Sequence, residues 1–211
     1  LPEENRSYFY PSVSTSFIFT EALGITSDKL NFGKIRIGYA QVGNQATPYS
    51  LYTTFGTELA YNGRNRVALN NRLNNLNLMP ERTKELEIGT ELTLFKNRVT
   101  ADITWFKKNS FDQIVSASVA SSSGFSRQVI NSGEIQNDGW EIGLSGSPVA
   151  KVDGINWNIG VNFTKINSMI IDAGEGGDII LSAAGSNSSS PTNNIHRTGE
   201  PYGQIYGTRF A

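Results

Sequence analysis

Apolar and polar residues take turns along much of this chain. Residues 156–163 read Asn-Trp-Asn-Ile-Gly-Val-Asn-Phe. In an extended backbone this puts Trp157, Ile159, Val161 and Phe163 on one side and Asn156, Asn158, Gly160 and Asn162 on the other. Leu86, Ile88, Leu92 and Leu94 alternate in the same way with Glu85, Glu87, Gly89 and Glu91, and Val99, Ala101, Ile103 and Trp105 with Thr100, Asp102 and Thr104. A period of two held over this many residues belongs to a strand and to no helix.

The same spacing predicts strands over residues 12–20 (Val13, Phe17 and Phe19 against Ser12, Ser14 and Ser16), 34–42 (Ile35, Ile37 and Tyr39 against Lys34, Arg36 and Gly38) and 140–146 (Trp140, Ile142 and Leu144 against Glu141, Gly143 and Ser145). Shorter strands are expected at 49–55 and from 204 to 210. Residues 84–94 and 99–106 should pair as a hairpin across Lys96-Asn97, which suits turn chemistry. Pro148 is expected to end the strand before it, and Asp153-Gly154 to turn the chain. Residues 43–83, 107–138 and 167–200 are polar, rich in Asn, Ser and Gly, and read as long connections. They alternate with short ones after residues 20, 94 and 146.

Loops of that length are uncommon in compact soluble domains. Transmembrane barrels, in contrast, place short turns on the periplasmic side and long loops outside. The predicted fold is therefore all-β: antiparallel strands of a transmembrane β-barrel, about six or seven of them in residues 1–211, a length that does not by itself call for a second domain. A soluble β-sandwich that binds carbohydrate is the competing reading, since a sheet wetted on one side alternates too. Aromatic residues at strand ends (Tyr39, Trp105, Trp157, Phe163) are placed like an interfacial girdle and favour the barrel. The residues expected to face lipid are Ile35, Ile37, Tyr39, Leu86, Ile88, Leu92, Val99, Ile103, Trp105, Ile142, Leu144, Trp157, Ile159, Val161 and Phe163.

Composition narrows the chemistry. Charged residues make up 18% of 211, below the ~25% usual for soluble domains, and the net charge of −1 comes with no basic run, so nucleic acid is not an expected partner. The absence of cysteine excludes disulfides and thiolate metal sites. Leu1-Pro-Glu-Glu has no basic or apolar leader, so the chain reads as mature or as a piece of a longer one.

Catalysis finds little support, and no enzyme activity is expected. His196, the one histidine, lies beside Arg197 and Thr198 and is expected to be a solvated loop residue. No serine sits in a Gly-x-Ser-x-Gly elbow. Glu85, Glu87 and Glu91 share a strand face, an arrangement open to paired-carboxylate chemistry, but a polar lumen wall with Lys34 and Arg36 as cross-barrel partners accounts for them better. Asp172, Glu175 and Asp178 offer the oxygen ligands that calcium prefers, without EF-hand spacing; no metal or cofactor is assigned. For substrate, Tyr49, Tyr52, Tyr61, Asn62, Arg64 and Arg66 of the first long loop combine aromatic faces with amide and guanidinium donors.

Several blocks carry a resemblance. Tyr8-Phe9-Tyr10-Pro11-Ser12-Val13-Ser14, Lys34-Ile35-Arg36-Ile37-Gly38-Tyr39-Ala40-Gln41-Val42-Gly43-Asn44-Gln45 and Leu78-Met79-Pro80-Glu81-Arg82-Thr83-Lys84-Glu85-Leu86-Glu87-Ile88-Gly89 occur in that order. Ser121-Ser122-Ser123-Gly124-Phe125-Ser126, then Ile130-Asn131-Ser132-Gly133-Glu134-Ile135-Gln136-Asn137-Asp138-Gly139-Trp140-Glu141 and Pro201-Tyr202-Gly203-Gln204-Ile205-Tyr206-Gly207 follow. Together they resemble the SusC/RagA family of TonB-linked outer-membrane transporters over nearly the whole chain. The resemblance implies a Gram-negative outer-membrane barrel of about twenty-two strands around an N-terminal plug. It also implies import of oligosaccharides or peptides under a SusD-like surface lipoprotein, with TonB acting through a part of the protein not in this chain. With no plug or TonB box, the chain is expected to be an internal barrel segment. A segment alone would leave two unpaired edges, which lipid does not tolerate.

Overall fold

The computed structural model describes residues 2–5, 7–150, 154–174, 177–183 and 192–207. Its strands are β1 (Ser12–Ile18), β2 (Leu30–Asn44), β3 (Phe55–Tyr61), β4 (Arg64–Leu69), β5 (Arg72–Leu73), β6 (Glu81–Leu94), β7 (Val99–Ser118), β8 (Arg127–Ala150), β9 (Asn156–Asp172), β10 (Ile179–Ala183), β11 (Thr192–His196) and β12 (Gln204–Gly207). One sheet dominates: β1, β2, β6, β7 and β8 lie side by side, β9 continues on β8, and β5 adds a two-residue parallel pair. All its other pairings are antiparallel. β3 and β4 form a separate two-stranded ribbon, and β10, β11 and β12 a three-stranded sheet.

Register shows how the alternation is used. Phe17, Ile35, Thr90, Ile103, Ile142 and Phe163 are successive cross-strand partners. The next row up is Thr15, Ile37, Ile88, Trp105, Trp140 and Lys165; the rows below contain Leu92, Ala101, Leu144 and Val161, then Leu94, Val99, Gly146 and Ile159. Because strand side chains alternate, all of these share one face, and all fifteen residues expected to face lipid belong to it. Among the described residues no second sheet covers them: Trp157 and Val161 are each 57% exposed and Ile159 42%. That excludes the sandwich. From Trp157 to Lys165, β9 carries this apolar face over nine residues, the length a tilted strand needs to cross a bilayer, about 9–11.

The aromatic residues are not all at the rims. Tyr39, Trp105 and Trp140 lie in the upper rows and Trp157 near the short-turn end, but Phe163 pairs with Ile142 in a middle row. The reason is length. β9 continues to Asp172, so residue 163 is mid-strand.

Several connections are also shorter than the pattern suggests. Residues 107–138 are not a loop: β7 and β8 run on as a hairpin joined by residues 119–126. Residues 49–54 are irregular, and the strand there begins at Phe55. Pro148 does not end β8, which continues to Ala150 through a bulge between Gly146 and Val149; a bulge tolerates the missing N–H. The first strand stops at Ile18, and residues Phe19–Ala22 make a single helical turn. The buried Thr20 hydroxyl pins that turn, accepting from Gly33 N at 3.1 Å. Asp153, Ser186 to Ser190 and Phe210 lie outside the described residues.

The Lys96-Asn97 hairpin forms as predicted, with Leu94 opposite Val99. Phe95, Lys96 and Asn97 all have positive φ (54°, 58° and 64°), and only Asn tolerates that region readily. Phe95 N and Lys96 N donate to the carbonyls of Lys29 and Asp28 in the neighbouring turn, and Lys96 pairs with Asp28 at 3.1 Å.

Candidate functional site

The face opposite the apolar one is charged. Lys34 stands opposite Glu91 in register and pairs with it at 2.5 Å. Arg36 stands opposite Gly89, which in turn stands opposite Thr104. Gly89 leaves the space this needs: a Cβ there would sit 2.6 Å from Arg36 Nε. The guanidinium therefore passes over β6 and donates to both carboxylate oxygens of Asp102 on β7, at 2.8 and 2.9 Å, with Glu87 at 3.5 Å. A fork of this kind holds geometry as well as charge. Lys34 and Arg36 thus find partners on adjacent strands rather than across a barrel. Glu85 and Glu141 share the face, so it carries Lys34, Arg36 and Lys108 against Glu85, Glu87, Glu91, Asp102 and Glu141. An open hollow of about 350 Å³ lies between Arg36, Glu87, Asp102, Glu141 and Asn162.

A larger cleft, about 620 Å³, opens at the long-connection end. The tip of the β7–β8 hairpin, residues 75–79, Gly174 and residues 178–180 line it. Asn131 fixes its shape by accepting from Met79 N at 2.9 Å and donating to the carbonyls of Met79 (2.9 Å) and Asp112 (2.8 Å). Asn77 and Gln128 also line the cleft, and their side-chain amides make no hydrogen bond among the described residues. Asp178, on the rim, accepts from Arg197 at 2.7 and 3.0 Å, and the guanidinium holds that carboxyl below its usual range.

The six loop residues expected to bind substrate are split. Tyr61, Asn62, Arg64 and Arg66 lie at or near the tip of the β3–β4 ribbon, whose side chains are almost all exposed. Arg66 pairs with Glu58 at 3.0 Å. Tyr49 and Tyr52 lie at the ribbon's base, where Asn74 Nδ2 donates to both their carbonyls, at 2.9 and 2.7 Å. None of the six lines the larger cleft. The cleft residues were missed because residues 107–138 lacked a strong period. The available signal was weak: Val115 and Ala117 alternate with Ser116 and Ser118.

His196 is not a solvated loop residue. It sits in β11, 3% exposed, its ring 5.0 Å from that of Tyr202. Burial pushes its pKa down, and Nδ1 has no hydrogen-bond partner among the described residues. Of the three acidic residues considered for calcium, Asp172 accepts from Gly174 N at 2.8 Å, Asp178 is taken by Arg197, and Glu175 lies outside the described residues. Among the described residues no three His, Asp or Glu side chains gather as a metal site would need.

A single twisted sheet, apolar and uncovered on one face and charged on the other, with short turns at one end and a raised hairpin at the other, is a section of a membrane β-barrel. Comparison with known proteins gives the family. The model of the TonB dependent receptor-like β-barrel matches residues 2–204, and the chain belongs to that family. Among curated proteins it is similar to TonB-dependent receptor P26 of Formosa agariphila, 32% identical over 82% of this chain and 18% of that protein. It is also similar to TonB-dependent receptor P3 of the same organism, 26% identical over 99% of this chain and 21% of that protein. It thus spans about a fifth of the length of these relatives. Among solved structures, the RagAB peptide transporter superposes with a TM-score of 0.80 at 20% identity, over 95% of this chain and 21% of that one. The open-open state of the RagAB peptide importer gives 0.73 over 94% and 21% at the same identity. These establish the fold and agree with the SusC/RagA resemblance of the sequence blocks.

Proposed function

We propose that this chain forms part of the barrel wall of a TonB-dependent importer in the outer membrane of a Gram-negative bacterium, with plug and TonB box in parts of the protein outside residues 1–211. The cargo is a bulky nutrient, a glycan oligosaccharide or a peptide, received beneath a SusD-like surface lipoprotein. TonB supplies the work, and no bond of the cargo is made or broken.

The observation that carries this reading is the two-faced sheet: an apolar face left uncovered at belt height, backed by the Lys34, Arg36, Glu87, Glu91 and Asp102 network. Lipid suits the first face and a water-filled bore the second. Short turns then lie on the periplasmic side, and the β7–β8 tip, the β3–β4 ribbon and the cleft lie outside. Free amides such as Asn77 and Gln128 can donate and accept, which suits sugar hydroxyls and peptide main chain equally. The RagAB relatives are named for peptide import, which favours a peptide on fold-level likeness alone.

The test is uptake by the complete protein. A host lacking the receptor should take up the oligomer only when the receptor is restored and TonB is intact; uptake that persists without TonB would contradict the proposal. Neighbouring reading frames encoding a lipoprotein with glycosidases, or one with peptidases, would separate the two cargoes. Tyr52→Ala or Arg64→Ala should weaken cargo binding, and unchanged affinity would remove those residues from the site.

A further inference from the structure

The face that carries the apolar belt also carries three lysines at and just beyond its upper rows, all at the long-connection end. Lys165 on β9 stands opposite Trp140, in the row that also holds Trp105. Lys107 on β7 comes two residues after Trp105 and stands opposite Leu86 and Asp138. Lys84 on β6 is one row further, opposite Asn109, with its ammonium 5.3 Å from the centre of the Phe111 ring. All three side chains are exposed. Among the described residues none forms an ion pair. Asp138, the carboxylate within these rows, accepts instead from Gln136 at 3.3 Å and Asn167 at 3.4 Å. The other end differs, since Lys96 there is paired with Asp28.

A lysine at the edge of a hydrocarbon belt lays its stem along the apolar surface and lifts its ammonium into the headgroup layer. Three unpaired ammonium groups on three successive rows of one face make a surface for anions. Lys84 and Lys107 are diagonal neighbours, about 7–8 Å apart at the backbone, and Lys165 lies two strands from Lys107. The surface is therefore wide enough for a headgroup carrying more than one phosphate, and lysine meets phosphate well as a point charge. The surface is continuous with the Trp105–Trp140 row, so acyl chains of the same ligand would rest on the belt below. The geometry points to Lys84, Lys107 and Lys165 as a binding surface for the phosphorylated headgroup of an outer-leaflet glycolipid of the lipid A type. That the lysines lie in the outer leaflet rests on the membrane topology proposed above.

The complete receptor can be placed in nanodiscs of phosphatidylcholine containing bisphosphorylated lipid A, and retained lipid read by native mass spectrometry. Wild type should keep lipid A; Lys107→Gln should bind it about fivefold more weakly, and the triple Lys84→Gln, Lys107→Gln, Lys165→Gln variant more than tenfold. Lys96→Gln should change nothing, and dephosphorylated lipid A should not be retained. Equal retention by wild type and triple variant, retention without the phosphates, or displacement by millimolar inorganic phosphate would overturn the assignment. Because residues 1–211 contain no cysteine, Ser123→Cys in a receptor with no other reactive cysteine separately tests the topology. Labelling by an impermeant maleimide on intact cells places the hairpin tip outside, and no labelling rejects the topology whatever the nanodiscs show.

Discussion

The lower and upper halves of the β7–β8 hairpin use the same two strands in one unbroken register, yet only one half looks like a strand in the sequence. Below Lys107, Val99, Ala101, Ile103 and Trp105 oppose Gly146, Leu144, Ile142 and Trp140. Above it, the same face carries Lys107, Asn109, Phe111 and Gln113 opposite Asp138, Gln136, Glu134 and Ser132. Backbone pairing does not require alternation. A difference in solvent between the two faces does, and above the belt the outer face turns polar while the inner one is partly covered, with Ile135 packed on Ile170 and Ala173. The period of two therefore records where hydrocarbon begins and ends.

The largest test of this contrast is a charge on the belt. Val161→Lys should destabilise the complete barrel in lipid by about 2–4 kcal/mol, whereas Gln136→Lys, on the same face above the belt, should change it by less than about 0.5 kcal/mol. Equilibrium unfolding in vesicles measures both, and equal costs would end the distinction. Gly139→Ala comes next. Its Cβ would sit 2.4 Å from the Lys165 carbonyl oxygen, a backbone atom that cannot swing away, so a loss of about 1–3 kcal/mol is expected in the same assay.

Arg36→Gln should cost less, about 0.5–1 kcal/mol, because its pairs with Glu87 and Asp102 are partly solvated. Added salt should shrink that difference, and a salt-independent cost would point to packing instead. The smallest effect is local. Burial holds the His196 pKa below its ordinary 6.5, so the unfolded β10–β12 sheet binds a proton more readily than the folded one. Stability of that sheet is full above about pH 6.5 and falls as pH drops below it. Hydrogen-exchange protection factors at Ile179 and Ile195 should fall on acidification while those at Ile103 and Ile142 hold; His196→Gln should flatten the dependence.

What was legible in the sequence follows the same boundary. The strand faces at belt height and the Lys96-Asn97 turn could be read because lipid imposes a period and a tight turn imposes residue types. The pairing of Arg36 with Asp102 could not be read, since it depends on Gly89 lying between them in register across three strands. The cleft also escaped. Asn131 and Gln128 sit on a part of β8 that carries no period, and Asn77 sits in an Asn-rich stretch held in part by Asn131 reaching across from β8. Residues 49–55 misled because Tyr, Leu and Phe there favour strands while Tyr49 takes a positive φ of 63°. His196 misled in the opposite sense. Its polar neighbours pointed to solvent, but its pairing opposite Ile179 turned it inward.

A single-cysteine scan from Val99 to Ser118 in a complete, otherwise cysteine-free barrel, labelled in membranes with a hydrophilic maleimide, puts the central claim to direct test. Protection should fall on alternate residues up to Trp105, with Thr100 and Asp102 labelled, and give way to labelling without a period of two above Lys107. Protection alternating all the way to Ser118, or no alternation at all below Lys107, would contradict the account.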